Sequence, residues 1–151
     1  EFGLRWHLRQ PSSFTPLRNS SQSLLLGSDE AQNARQIAQF SAKDAEAFPK
    51  YEAWLARIVQ ALEPLMDQVL LALSWQIDER QGNAKAPLEP SKLGSVVVGS
   101  LGAGGLVDLG QLLTAPISRV LEEWFESEPL KATLATDGVI GFMGSPKTPG
   151  S

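Results

Sequence analysis

Cysteine is missing from this 151-residue sequence, and histidine occurs once, as His7. Without cysteine there are no disulfides, thiolate nucleophiles or zinc–thiolate sites. A single histidine leaves catalytic triads, zinc triads and Glu-x-x-His di-iron pairs impossible or severely incomplete. Basic charge is also short, with 13 Lys and Arg against 17 Asp and Glu, a net charge of -4 and a pI near 5.0. That balance argues against a nucleic-acid partner, which calls for a basic patch. The longest uncharged run, from Leu93 to Val107, is rich in Gly and Ser. It falls short of the roughly 18–20 apolar residues of a bilayer helix, so no transmembrane segment is expected. No basic-then-apolar leader opens the chain. It starts at Glu1-Phe2-Gly3 without Met and closes on Pro149-Gly150-Ser151, so an internal piece of a larger protein is expected.

What is present has globular composition, 42% hydrophobic and 20% charged, at a length normal for one domain. Residues 4–9 alternate: Leu4, Trp6 and Leu8 fall on one strand face, Arg5, His7 and Arg9 on the other. Pro11 to Pro16 contains turn residues, and Gln22 to Leu26 reads as a second short strand stopped by Gly27. An isolated hairpin is marginal in water, so these strands need partners. From Ser28 the period becomes helical. Asp29 and Glu30 suit a first helical turn, and Ala34, Ile37, Ala38 and Phe40 follow. Ser41 stands three residues before Asp44, a capping-box-like restart. Phe48-Pro49 predicts a bend or the first turn of a further helix.

The clearest helical stripe is Tyr51, Trp54, Leu55, Ile58, Val59 and Leu62, with a kink expected at Pro64 before Leu65, Met66, Val69, Leu70 and Leu73. Gln81 to Pro90 has linker composition, and the small apolar run from Gly94 to Gly105 shows no helical period. A second stripe runs through Leu109, Leu112, Leu113, Ile117, Val120, Leu121, Trp124 and Phe125, with Thr114 as a candidate cap before Pro116. Ser127-Glu128-Pro129 starts another helix, and Leu130, Leu134 and Ile140 carry its apolar side. The fold class expected is α+β, predominantly helical.

None of these residues forms a recognisable catalytic or cofactor-binding motif. A dinucleotide turn needs glycines at its first, third and sixth places, so that the backbone can approach a pyrophosphate. From Gly102 the third place is Gly104, but the sixth is Val107; from Gly99 the third is already Leu101. His7 reads as a solvated strand residue, and Ser13, Ser20 and Ser21 as turn residues without a nucleophile elbow. Glu122 and Glu126 are four apart and Glu123 and Glu126 three apart, so two carboxylates can share a helix face, where paired acids divide acid and base roles only if their environments differ. A solvated face is the plainer reading, as it is for Asp44, Glu46 and Glu52. Trp54, Trp124 and Phe125 sit at core spacing and read as packing rather than a cofactor cage. The catalytic, cofactor-binding and metal sites expected within the chain are therefore none.

Three stretches carry a resemblance: GLRWHLRQPSSFTPL at 3–17, QIAQFSAKDAEAFPKYE at 36–52, and LTAPISRVLEEWFESEPLKATLATD at 113–137, continuing to SPKTPGS at 145–151. They resemble the phytoene dehydrogenase-like FAD-dependent oxidoreductases. Residues from about 75 to 109 depart from the family's pattern. The resemblance implies a partial substrate-side domain of a two-domain flavoenzyme. In that frame 1–27 supply sheet strands, 28–74 and 109–143 a helical cap, 75–108 an irregular or linker segment, and 144–151 a loop toward the remainder. It also implies FAD as cofactor, bound by a motif outside this chain, an apolar small-molecule substrate and a mitochondrial location. The alternatives are a catalytically inactive interaction or regulatory protein on the same fold, and a freestanding helical adaptor.

Overall fold

In the computed structural model the described residues are 3, 5, 7, 9–18, 20–78, 90–140 and 143–151. Among them the chain forms two short strands and five helices, the helix-dominated α+β class expected. Strand β1 is Ser13–Pro16 and strand β2 is Ser23–Leu26. They pair antiparallel, Ser13 opposite Leu26 and Pro16 opposite Ser23. The Leu17 N–H donates to the Gln22 carbonyl at 3.1 Å and closes the hairpin.

The second strand falls where its pattern placed it; the first does not. Residues 5, 7 and 9 of the 4–9 alternation carry no strand, and 4, 6 and 8 lie outside the described residues. The strand instead uses Ser13-Phe14-Thr15-Pro16, a stretch of turn-like composition. Alternation makes a strand only where a neighbour pairs with it. Pro is tolerated at a sheet edge, where its missing N–H would face away from the partner strand.

Helix α1, Glu30–Ala38, starts as expected: Asp29 caps it, its Oδ1 accepting from the Gln32 N–H at 3.0 Å. Its buried Ile37 lies in the same core as Leu24 and Leu26 of β2. Helix α2, Ala42–Asp78, comes directly after it, with Ser41 accepting from the Asp44 N–H at 3.1 Å. It is one helix through Pro49 and Pro64, so Phe48-Pro49 does not start a separate helix and Pro64 does not break it. An interior proline costs about 3 kcal/mol. Burial of Phe48, Tyr51, Ile58 and Ala61 on either side offsets that cost.

Most of the 81–90 linker stretch lies outside the described residues. The run from Gly94 to Gly105, which shows no period, is helical: it belongs to α3, Pro90–Thr114, interrupted at Gly102 with φ 64° and ψ -177°. Glycine reaches that φ without steric cost. The run hides its helix because small residues mark no face. Helix α4 is Ile117–Trp124, with Pro116 rather than Thr114 in the cap position, since α3 itself extends to Thr114. Helix α5 is Glu128–Val139, preceded by Ser127 and with proline in its first turn, as expected.

The chain divides into two compact units. One joins residues 1–51 to 114–151 and contains β1, β2, α1, the start of α2, α4, α5 and the final loop. Its core holds Leu24, Ile37, Phe48, Tyr51, Val120, Leu121, Phe125 and Leu130. The other is 52–113, the remainder of α2 with nearly all of α3; Ile58, Ala61 and Val97 are buried in it. Within this second unit the Arg57 guanidinium meets the Asp108 carboxylate at 2.7 Å. The expectation of no transmembrane segment rested on uncharged residues alone. The window Val97–Thr114, which includes paired Asp108, is long and apolar enough to cross a membrane by length and composition, and 17% of it is buried.

Candidate functional site

Within the first unit, α4, α5 and the final loop enclose a cleft of about 320 Å³. Helix α4 contributes Ser118, Leu121 and Glu122, α5 contributes Glu128, Lys131 and Ala135, and the loop contributes Pro146 and Lys147. The size is at the lower end for small-molecule sites. The loop is fastened to the start of α4, whose first N–H groups have no partner inside the helix. Ser118 N–H donates to the Pro146 carbonyl at 2.9 Å, and Ile117 N–H to Ser151 Oγ at 3.2 Å. Gly150 N–H donates to the Ala115 carbonyl at 3.3 Å. A Gly-Pro-Ser segment thereby supplies the cap that Pro116 lacks and forms one wall of the cleft.

The joint between α4 and α5 hangs on Asp44. Its side chain, at 0% exposure, accepts from the Glu126 N–H at 2.9 Å, the Ser127 N–H at 2.8 Å and the Ser127 hydroxyl at 2.5 Å. The box-like spacing of Ser41 and Asp44 is therefore half right. Ser41 Oγ caps α2, but the Asp44 carboxylate reaches across to cap α5 instead of returning to Ser41. Ser41 Oγ in turn donates to Glu126 Oε1 at 2.8 Å, and Lys43 approaches Glu126 Oε2 at 3.3 Å. Burial pushes the Asp44 carboxyl upward, yet the Ser127 hydroxyl and the two backbone N–H groups outweigh it and hold it below the ordinary aspartate range.

An aromatic cluster packs beside this joint. Tyr51 meets Trp124 and Phe125 edge-on at 5.6 and 5.1 Å between centroids, and Phe48 lies 6.3 Å from Phe125. Such contacts are packing geometry, as their spacing suggested. Burial, with Asp137 adding repulsion, raises the Tyr51 phenol above its usual range and keeps it neutral.

Two of the charged residues lining the cleft are paired with each other. Lys131 donates to Glu128 at 2.7 Å, which raises the ammonium's pKa against the opposing effect of burial. Lys131 is thus held protonated and is no amine nucleophile. Glu123 pairs with Arg119 at 3.7 Å and Glu126 serves the Asp44 joint, so the three glutamates part company, with Glu122 alone lining the cleft. His7 is exposed. Among the described residues no cluster of three His, Cys, Asp or Glu is placed to hold a metal ion. The arrangement is suited to enclosing and orienting a ligand; it contains no nucleophile–base pair.

The glycines near Gly102 do not make a flavin or dinucleotide turn. They lie inside α3 rather than between a strand and the start of a helix, and the sixth place is Val107. The residues present do not fit a flavin diphosphate.

Over 158 aligned residues, covering 99% of the chain, the sequence is 49% identical to pyridine nucleotide-disulfide oxidoreductase domain-containing protein 2 of Rattus norvegicus. It is 47% identical, over the same share, to the protein of that name in Mus musculus. The chain spans 26% of the length of these curated relatives. The alignment covers 99% of the chain and so extends through residues 75–109. No protein-family model matches the chain, and no solved structure matches it. The chain is thus a relative of one quarter of these oxidoreductase-domain proteins, and that quarter, lacking cysteine in this sequence, supplies no redox disulfide.

Proposed function

We propose that this chain is substrate-side scaffold in a phytoene dehydrogenase-like, FAD-dependent oxidoreductase that oxidises an apolar substrate in mitochondria. The supporting observation is the 47–49% identity sustained over 99% of the chain to proteins named for an oxidoreductase domain. FAD would be held by residues outside this chain, consistent with glycines that sit within a helix. In such enzymes the cofactor carries the redox chemistry while the protein orients the substrate and excludes water. The contribution of these residues is mechanical: Asp44 fixes the α4–α5 joint, and the 145–151 loop fixes the start of α4, so the cleft walls keep their geometry.

The decisive experiment is to purify the full-length protein and record its visible spectrum before and after incubation with FAD. A bound flavin band, released on denaturation, is the expected result. A full-length protein that carries no flavin and takes up none would sink the reading. Location is checked separately, by fractionation of cells expressing the full-length protein; exclusion from mitochondria would remove that part of the proposal alone.

A further inference from the structure

A helix in water turns its polar side outward and its apolar side toward the core. The later half of α3 does the reverse. Ala103, Val107, Gly110 and Leu113 recur every three or four residues, so they share one face, and each is exposed. Val98, in the earlier half, is exposed as well. Asp108 is the only charged residue between Lys92 and Arg119, and its carboxylate is tied to the Arg57 guanidinium of α2 at 2.7 Å. The polar residues Ser100, Gln111 and Thr114 already have interactions within the chain. What this face presents outward is apolar area without charge.

We propose that this face of α3 inserts into one leaflet of a lipid bilayer. Two observations favour lipid over a protein partner. A protein interface carries about one hydrogen bond per 100–200 Å² and a polar rim, whereas the polar side chains here are engaged inside the chain. Val97–Thr114 also has the length and composition of a membrane segment while being 17% buried; the core helix of a soluble protein would be mostly enclosed. The ion pair fits the same medium, because a lone carboxylate near hydrocarbon is costly and Arg57 neutralises it.

The depth of insertion is limited by Gly102, where the helix is interrupted at φ 64°. Backbone groups at such a break need water or protein partners, so the break stays at headgroup level. From Ala103 to Thr114 the helix is about 18 Å long at 1.5 Å per residue, short of the roughly 30 Å hydrocarbon core. The segment therefore enters one leaflet without spanning. The stretch between Lys92 and Arg119 contains no basic residue and the chain's net charge is -4, so the attraction is apolar and needs no anionic lipid.

Flotation of the full-length protein with phosphatidylcholine vesicles in a density gradient tests this. The protein is expected to float with the vesicles, equally in low and high salt. Val107→Asp combined with Leu113→Asp should cut the floated fraction at least ~10-fold. Phe14→Asp puts the same charge at a comparably exposed apolar site in the first unit, and should float like wild type. Wild-type protein left in the soluble fraction would overturn the proposal, whether another part of the protein or a second copy covers the face. Flotation that survives the paired substitution, or that Phe14→Asp also abolishes, would overturn it too. A readout without any variant is amide exchange of residues 103–114 in the wild-type protein, which vesicles should slow at least ~10-fold; unchanged exchange would count against insertion. Flavin content plays no part in these readouts, so failure here leaves the oxidoreductase reading untouched.

Discussion

Both units contain helices, but they cover their apolar residues differently. In the first, Leu24, Ile37, Leu121 and Leu130 are at most 1% exposed, and the buried carboxylate of Asp44 has its hydrogen bonds filled. In the second, Val59, Met66, Val98, Val107 and Leu113 are 50% to 70% exposed. Helix α3 is apolar on several sides, and among its described residues Val97 is buried while Val98, Val107 and Leu113 stay exposed. Hydrogen bonds along the axis form a helix; burial of one face is what makes it stable in water.

The largest expected effect is therefore at the aromatic joint. Phe125→Ala removes a 4% exposed ring that contacts Tyr51 and Phe48. It should cost about 3–5 kcal/mol in denaturant unfolding of the first unit. Val107→Ala, at a site 70% exposed, should stay within about 0.5 kcal/mol. Equal losses would erase the distinction between the units.

Next comes Asp44→Ala, which leaves the Glu126 and Ser127 N–H groups and the Ser127 hydroxyl without their acceptor. A loss of about 2–3 kcal/mol is expected. Its signature is in the acid limb. The folded carboxyl has the lower pKa, so below the unfolded value of about 3.9 the unfolded chain binds the proton first. Stability contributed by Asp44 is complete above that value and declines as pH falls through the folded one. Wild type should therefore lose stability more steeply than Asp44→Ala on acidification. Parallel acid limbs would show that Asp44 is not the titrating anchor.

Glycine substitutions give smaller, opposed tests. A Cβ on Gly138 would sit 2.9 Å from Ile117 Cγ1, so Gly138→Ala should cost about 1–3 kcal/mol through overpacking in the first unit. In the second unit a Cβ on Gly102 meets nothing within 4 Å; only its φ of 64° resists, by about 1–2 kcal/mol for Gly102→Ala. Smallest of these three is Arg57→Ala, which breaks the pair with Asp108 and should cost no more than about 1 kcal/mol, less in salt. Thermal midpoints across these three variants would rank them, and a dominant Arg57 effect would reverse the order.

How much was legible divides along similar lines. Asp29 before Glu30, and Ser127-Glu128-Pro129, announce helix starts because capping is local chemistry, readable within a few residues. The stripe from Tyr51 to Leu62 announces its helix because one side is apolar. What escaped depends on distant partners. Asp44 looks like an ordinary first-turn acid, and nothing nearby in sequence shows that its carboxylate serves residues 126 and 127. Strand β1 was hidden by its turn-like Ser and Pro, since pairing with β2 selects it. Helix α3 was hidden by glycines that erase periodicity. The cleft was not readable either, because its walls are fastened by backbone groups of 146 and 150, which leave no side-chain motif.

Hydrogen exchange across the whole chain tests the contrast between the units most directly. The amides of Ile37, Leu121 and Leu130 should exchange only through the largest opening, while those from Val98 to Leu113 should exchange at least ~100-fold faster through local opening. Uniform protection across both units would contradict the account, showing that the exposed apolar helix is as securely held as the closed core.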